Sequence, residues 1–105
     1  MENKPYRLRY LPLFQSDLTD IVDYITNVLL NPSAADELVN RIEEAILTRL
    51  ETPLISPPFQ SSTEREHPYR AILVGNYAVF YVVIGDVMEV RRVLYKGRDF
   101  PRHLQ

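Results

Sequence analysis

The sequence predicts an α+β fold: an N-terminal strand, then an antiparallel helical hairpin packed on a mainly antiparallel sheet that ends in a three-stranded meander. Three observations carry that prediction. Apolar residues recur at spacings of three and four between residues 16 and 50, the period of an amphipathic helix. Four prolines, Pro53, Pro57, Pro58 and Pro68, then interrupt the chain. Beyond them, runs rich in Val, Ile, Tyr and Phe flank Gly75-Asn76 and Gly85-Asp86, pairs that tolerate positive φ and close tight hairpins. The 105 residues read as a single domain over 1–105, long enough to bury roughly two thirds of the unfolded surface without disulfides.

Tyr6 to Leu11 alternates Tyr6, Leu8 and Tyr10 with Arg7 and Arg9, the period-2 pattern of a strand with one buried face, and Pro12 ends it. The two arginines read as the outward charge of an edge strand. The first helix is expected from Ser16, with Asp17 and Asp20 in its first turn, where an N-cap oxygen and negative charge suit the helix dipole. Its apolar stripe is Leu18, Ile21, Val22, Ile25, Val28 and Leu29. Asp17, Asp20 and Asp23 read as a solvated face, because nothing nearby supplies the converging oxygens of a hard-metal site.

Asn31 and Pro32 mark a restart, Asn as an N-cap and Pro at the first helical position. Ala35, Leu38, Ile42, Ala45, Ile46 and Leu50 form the second stripe. The short connector makes the two helices antiparallel neighbours. Thr52 to Pro68 is a loop, because proline removes ladder donors and the polar residues between offer no core. In the meander, both alternating sets of Tyr77 to Ile84 are apolar, the mark of a strand buried on two sides. One helical hairpin covers one face, so the other is expected to be covered by loops or tail and, in part, by another chain.

Composition limits the function classes. Hydrophobic residues make up 46% and charged residues 25% of the chain, a globular balance that argues against disorder. There is no cysteine, which removes thiolate metal sites and fits a reducing cytosol. No apolar run approaches the ~20 residues of a membrane span and the N-terminus lacks a signal-peptide core, so the expected location is cytoplasmic with no membrane partner. No nucleophile triad, zinc-ligand spacing or phosphate loop is present, and no cofactor or metal is expected.

The net charge is -2, but its halves differ: residues 1–66 hold six Lys or Arg against eleven Asp or Glu, and residues 67–105 hold six against three. The cations of the second half are Arg70, Arg91, Arg92, Lys96, Arg98 and Arg102. In adjoining strands, Arg70 and an arginine of the last strand are expected to approach one groove. Guanidinium groups match phosphate oxygens bidentately and stabilise the charge of a phosphoryl transition state. Tyr95 offers a ring for stacking on a base. Ion pairing accounts for the same cations equally well, with Glu89 or Asp99 as partners of Arg92 or Arg98.

The order of these elements, with DLTDIVDYI, the Asn-Pro-Ser-Ala-Ala helix start, YRAILVGNYAVFYVV and VRRVLYKGRD, resembles the RelE/ParE superfamily of toxins from bacterial type II toxin-antitoxin pairs. The resemblance runs from about Tyr6 to Asp99. It implies a RelE/ParE-like toxin neutralised by a cognate antitoxin, assembled as a toxin-antitoxin hetero-oligomer or a homodimer. RelE-like members cut messenger RNA on the ribosome without a metal, and this is the leading expectation. In that role Arg70 and Arg98 hold phosphate and Tyr95 orients the nucleotide, so these three are the catalytic candidates. Arg91, Arg92 and Lys96 would bind substrate, and Glu64, Glu66 and His67 are the candidates for the acid and base. ParE-like members instead inhibit DNA gyrase without catalysis. A degenerate member that binds antitoxin without activity is a third reading. Tyr95 stands where ribonuclease members often have His, a departure from the RelE-like pattern.

Overall fold

Leu8 and Tyr10 turn inward and Arg7 and Arg9 outward along strand β1 (Arg7–Tyr10), as the alternation predicts. The computed structural model describes residues 5–58 and 67–97. After β1 come helix α1 (Pro12–Asp23), which runs on into a single π-helical turn at Tyr24–Val28, helix α2 (Pro32–Leu50), and strands β2 (Arg70–Val74), β3 (Tyr77–Ile84) and β4 (Val87–Tyr95). The sheet order is β1-β4-β3-β2. β2, β3 and β4 form the antiparallel meander, and β1 joins its far edge parallel to β4. Gly75 and Gly85 take φ of 56° and 60° as the first turn residues of the two hairpins, the position where a type II′ turn needs glycine.

The second helix starts as its sequence dictates: the Asn31 side chain accepts from the Ala34 N–H at 3.2 Å and Pro32 opens the first turn. The first helix differs from expectation. It begins four residues early, at Pro12, with no side-chain cap at Leu11. The proline that ends β1 also starts α1, because its fixed φ suits a first helical residue whose N–H would have no partner anyway. Ser16 and Asp17 therefore lie inside the helix.

The larger core lies between the hairpin and the sheet, where Phe14, Ile25, Ala35, Leu38, Ile42 and Ile46 meet Ile72, Val79, Tyr81, Met88, Val90 and Val93. Each Val, Leu, Ile, Phe or Met among them contributes about 1.5–3 kcal/mol when removed from water. The opposite face of the sheet carries a second cluster of Tyr69, Ala78, Phe80, Val82 and Leu94, all buried within the single chain. The expectation that another chain covers this face is thereby corrected: its central residues have no exposed area to offer.

Candidate functional site

The cations of β4 are positioned by a β-bulge. Phe80 lies opposite Arg92 and Tyr81 opposite Val90, so Arg91 is the extra residue on the bulged strand. A bulge bends the strand and re-aims its side chains. Here two adjacent arginines find different carboxylates. Arg92 reaches α1, where its Nε and Nη2 donate to the two carboxylate oxygens of Asp17 at 2.7 and 2.8 Å. The Val93 N–H adds a third bond to Asp17 at 3.2 Å. The pair is mostly buried, with side-chain exposures of 15% and 12%. Asp17 thus belongs to no solvated face, and its hydrogen bond, opposed by burial, holds the Arg92 guanidinium above its ordinary pKa.

Arg91 donates to Glu89 at 2.7 Å and lies over the Tyr69 ring at 5.7 Å. Glu89 also accepts from Arg9 of β1 at 2.9 Å, so one nearly buried carboxylate joins two cations from neighbouring strands. Burial opposes its ionisation, but the hydrogen bonds and charges of Arg91 and Arg9 outweigh that and keep its carboxyl below the usual glutamate value. Of the ion pairs expected for this strand, Glu89 takes Arg91 and not Arg92.

Arg70 stands apart. β3 lies between β2 and β4, which separates the backbones of the outer two by about 9.5 Å. Arg70 is opposite Tyr81 and shares the helix-facing side with Ile72 and Val74, whereas Arg91 lies against Tyr69 on the other side. The Arg70 guanidinium donates to the carbonyls of Ser56 and Leu54 in the loop after α2. Arg49 clamps the same loop, donating to Ser56 Oγ, the Ala71 carbonyl and the Tyr81 hydroxyl. The Tyr81 hydroxyl in turn donates to the Pro53 carbonyl at 2.5 Å. The expected common groove of Arg70 with Arg91 or Arg92 does not form, because strand alternation and the bulge send them to different sides.

Tyr95 is half exposed and meets the Tyr77 ring edge-on at 5.7 Å. Burial, then the neighbouring Tyr95 and Tyr24, raise the Tyr77 phenol above its ordinary pKa, so three tyrosines gather at this end of the sheet. Lys96 is exposed, and its N–H donates to the Asn76 carbonyl at 2.9 Å. His67 is partly buried just before β2. Arg98, Glu64 and Glu66 lie outside the described residues. Among the described residues no group of three or more His, Cys, Asp or Glu could hold a metal ion. A cleft of about 1000 Å³, lined by Tyr6, Leu47, Leu50, Pro53, Leu54 and Ile55 among others, contains none of the candidate cations.

Sequence reasoning missed the tip of the helical hairpin. Val28 and Leu29, expected on the buried stripe, are 63% and 55% exposed, and Leu30 is 79% exposed. The cause is the π turn: the Leu29 N–H bonds to the Tyr24 carbonyl five residues back at 3.1 Å. A wider turn shifts the phase of all that follows, so positions that a 3.6-residue period places inward rotate out. The signal available was Leu29-Leu30 running directly into Asn31-Pro32 with no glycine to end the helix.

A family profile described as "ParE toxin of type II toxin-antitoxin system, parDE" matches residues 8–100. No curated protein sequence matches the chain. Among solved structures, a chromosomal ParDE TA system from P. aeruginosa aligns with a TM-score of 0.70 at 18% identity, covering 87% of this chain and 96% of that one. The archaeal RelE-RelB complex from Pyrococcus horikoshii OT3 aligns with a TM-score of 0.61 at 16% identity, covering 90% and 99%. Both likenesses establish the shared fold, two helices on a mixed four-stranded sheet.

Proposed function

The chain belongs to the family of ParE toxins of type II toxin-antitoxin systems, and on that premise we propose that it is held inactive by a cognate antitoxin and acts by binding DNA gyrase rather than by cutting messenger RNA. One observation carries the choice between these targets: the three strand arginines available for phosphate are each engaged inside the fold, on two different sides of the sheet. Catalysis of RNA cleavage requires cations preorganised around one developing charge. Arg92 would have to leave a mostly buried carboxylate, and Arg70 would have to release the loop it holds. The net charge of -2 supports the same reading, since phosphate contacts dominate affinity for nucleic acid.

The neutralising partner is read from the structural neighbours, a ParDE TA system and a RelE-RelB complex. The test is brief expression of the toxin followed by two measurements. Plasmid supercoiling is expected to fall, purified gyrase to lose supercoiling activity in vitro, and transcript 5′ ends to stay unchanged. The Arg70→Ala variant, provided it folds, is expected to keep this inhibition. Codon-phased cuts that disappear in Arg70→Ala, with supercoiling unaltered, would overturn the reading and restore Arg70, Tyr95 and Arg98 as catalytic residues.

A further inference from the structure

The two edges of the sheet are finished differently. The order β1-β4-β3-β2 leaves β1 and β2 each without a neighbour on the outer side, and an open edge is a template for another strand unless charge or a covering segment blunts it. β1 carries Arg7 and Arg9 at alternate positions. β2 is Arg70, Ala71, Ile72, Leu73 and Val74, and its one charge is turned onto the loop carbonyls of Leu54 and Ser56. Leu73 is 66% exposed. The ladder shows what this edge offers. Gly75 and Asn76 close a two-residue turn with Val74 opposite Tyr77, so Val74, Ile72 and Arg70 exchange hydrogen bonds with β3, and Ala71 and Leu73 point their N–H and C=O outward. The Ala71 carbonyl already accepts from Arg49 at 3.2 Å and from Ser56 Oγ at 3.4 Å. The Ala71 N–H and both Leu73 amide groups have no such partner among the described residues.

The charge beside the edge says what fits. α2 runs opposite to β2, with Arg49 on the Ala71 carbonyl and the Arg41 guanidinium beside Gly75. The groove of about 440 Å³ between them is lined on the helix side by Arg41, Glu44, Ala45, Thr48 and Arg49, a stripe that holds both signs. Arg41 and Glu44 are exposed, and neither they nor Arg49 form an ion pair among the described residues. A segment of one sign would leave part of this stripe facing its like. A second copy turned by a two-fold axis does not, because residue i then meets j and j meets i. Ile72, the midpoint of β2, stands level with a point about midway between Glu44 and Arg49, so an axis there sets each Glu44 against the other copy's Arg49.

We infer that the toxin pairs with a second copy of itself, β2 antiparallel to β2 about Ile72, joining the two sheets edge to edge. Ala71 of each copy lies opposite Leu73 of the other, so the exposed leucine covers a small residue. The joint lengthens the sheet and leaves its faces as they are.

The test uses the full-length toxin freed of antitoxin. Its mass by light scattering at micromolar concentration is expected to be twice the 12.3 kDa of the chain. Leu73→Lys at the edge and Glu44→Lys in the groove are expected to weaken the dimer at least tenfold, while Leu29→Lys, the same change at an exposed leucine elsewhere, leaves it intact. All three positions are exposed, and circular dichroism confirms that the variants fold. Because the chain has no cysteine, cross-linking reads the register directly. Residues opposite each other in a hydrogen-bonded pair lie about 5.5 Å apart, within reach of a disulfide, whereas like residues on either side of the axis are two steps out of line and beyond the limit of about 7 Å. Ala71→Cys mixed with Leu73→Cys is therefore expected to cross-link under mild oxidation at least tenfold faster than either variant alone. A monomeric wild type, a dimer indifferent to Leu73→Lys and Glu44→Lys, or mixed cysteines no faster than single ones would each overturn the inference. A monomeric wild type whose capture by the antitoxin is lost in Leu73→Lys would overturn it too and give the edge to the antitoxin. None of these outcomes bears on the gyrase reading, which the supercoiling and transcript measurements decide.

Discussion

Strand β4 and the tip of the helical hairpin carry opposite charge in the sequence, and the fold treats them in opposite ways. β4 brings two adjacent arginines, and each meets a carboxylate that is itself nearly out of water: Arg92 with Asp17, and Arg91 with the Glu89 that also binds Arg9. The tip keeps its remaining acids and its leucines in solvent. A residue's charge therefore says little about its use until its partner is known. The cluster that looks reactive in the sequence is committed to holding α1 and β1 against the sheet, and the part whose Val28 and Leu29 read as buried stripe is the part left open.

The sharpest way to break the comparison is to release one of the engaged arginines. Asp17→Ala leaves the Arg92 guanidinium mostly buried without its bidentate carboxylate and strips the Val93 N–H of its acceptor. Loss of one member of a buried pair costs about 3–5 kcal/mol, a large share of the 5–15 kcal/mol typical of a whole domain. Urea denaturation should show the midpoint falling accordingly. Replacing Arg92 as well with an apolar residue of similar volume should recover much of the loss, because the penalty comes from keeping the guanidinium mostly buried once its bidentate carboxylate is gone. A midpoint unmoved by Asp17→Ala would mean that β4 is no more committed than the tip.

Much of this architecture is legible in the sequence because its causes are local. Asn31-Pro32 caps and starts α2 with contacts three residues apart, and Gly75 and Gly85 close their hairpins within four residues. The strand and helix periods of β1, α2, β2 and β3 need only neighbours. The site is less legible because its causes are not local. Asp17, Asp20 and Asp23 are alike in spacing, and only the packing of α1 beside β4 selects the first as a partner for a residue 75 positions away. The bulge at Arg91 depends on the β3 register, and nothing in Glu-Val-Arg-Arg announces it. The π turn is hidden for a related reason: apolar residues at positions 25, 28 and 29 satisfy a regular helix as well as the wider turn that forms.

Glu89 gives a smaller effect with a definite sign. Its carboxyl ionises below the ordinary value of 4.5 when folded, so the unfolded chain binds the proton more tightly. The stability it contributes is complete above the unfolded glutamate range and is lost as pH falls through the depressed folded value. Glu89→Gln should cost about 1.5–3 kcal/mol at neutral pH, the worth of hydrogen bonds to charged groups. It should also flatten this part of the acid limb in thermal melts between pH 3 and 6, where the wild type loses stability. An equally steep limb in both proteins would assign the acid sensitivity to other carboxylates.

The smallest expected effect has the opposite sign, and it separates the two regions most cleanly. Leu30 holds a left-handed backbone at 79% exposure, so its side chain contributes little packing in return for its strain. Glycine relieves the steric cost of about 1–2 kcal/mol but gives back roughly 0.5–1 kcal/mol through the greater entropy of the unfolded chain. Leu30→Gly should therefore leave stability unchanged or raise it by up to about 1.5 kcal/mol, each kcal/mol being worth roughly 4–8 °C in Tm for a domain near this size. The Asn31 N–H that reaches back to the Ile25 carbonyl at 3.0 Å is kept, so the turn itself persists. If the leucine is there for a partner, the same substitution weakens binding of that partner while the protein melts no lower, an outcome that substitutions among the β4 ion pairs cannot produce because they remove stability and surface together. A lower Tm for Leu30→Gly would show that Leu30 serves the fold, and the contrast between a committed strand and an open tip would fail at that residue.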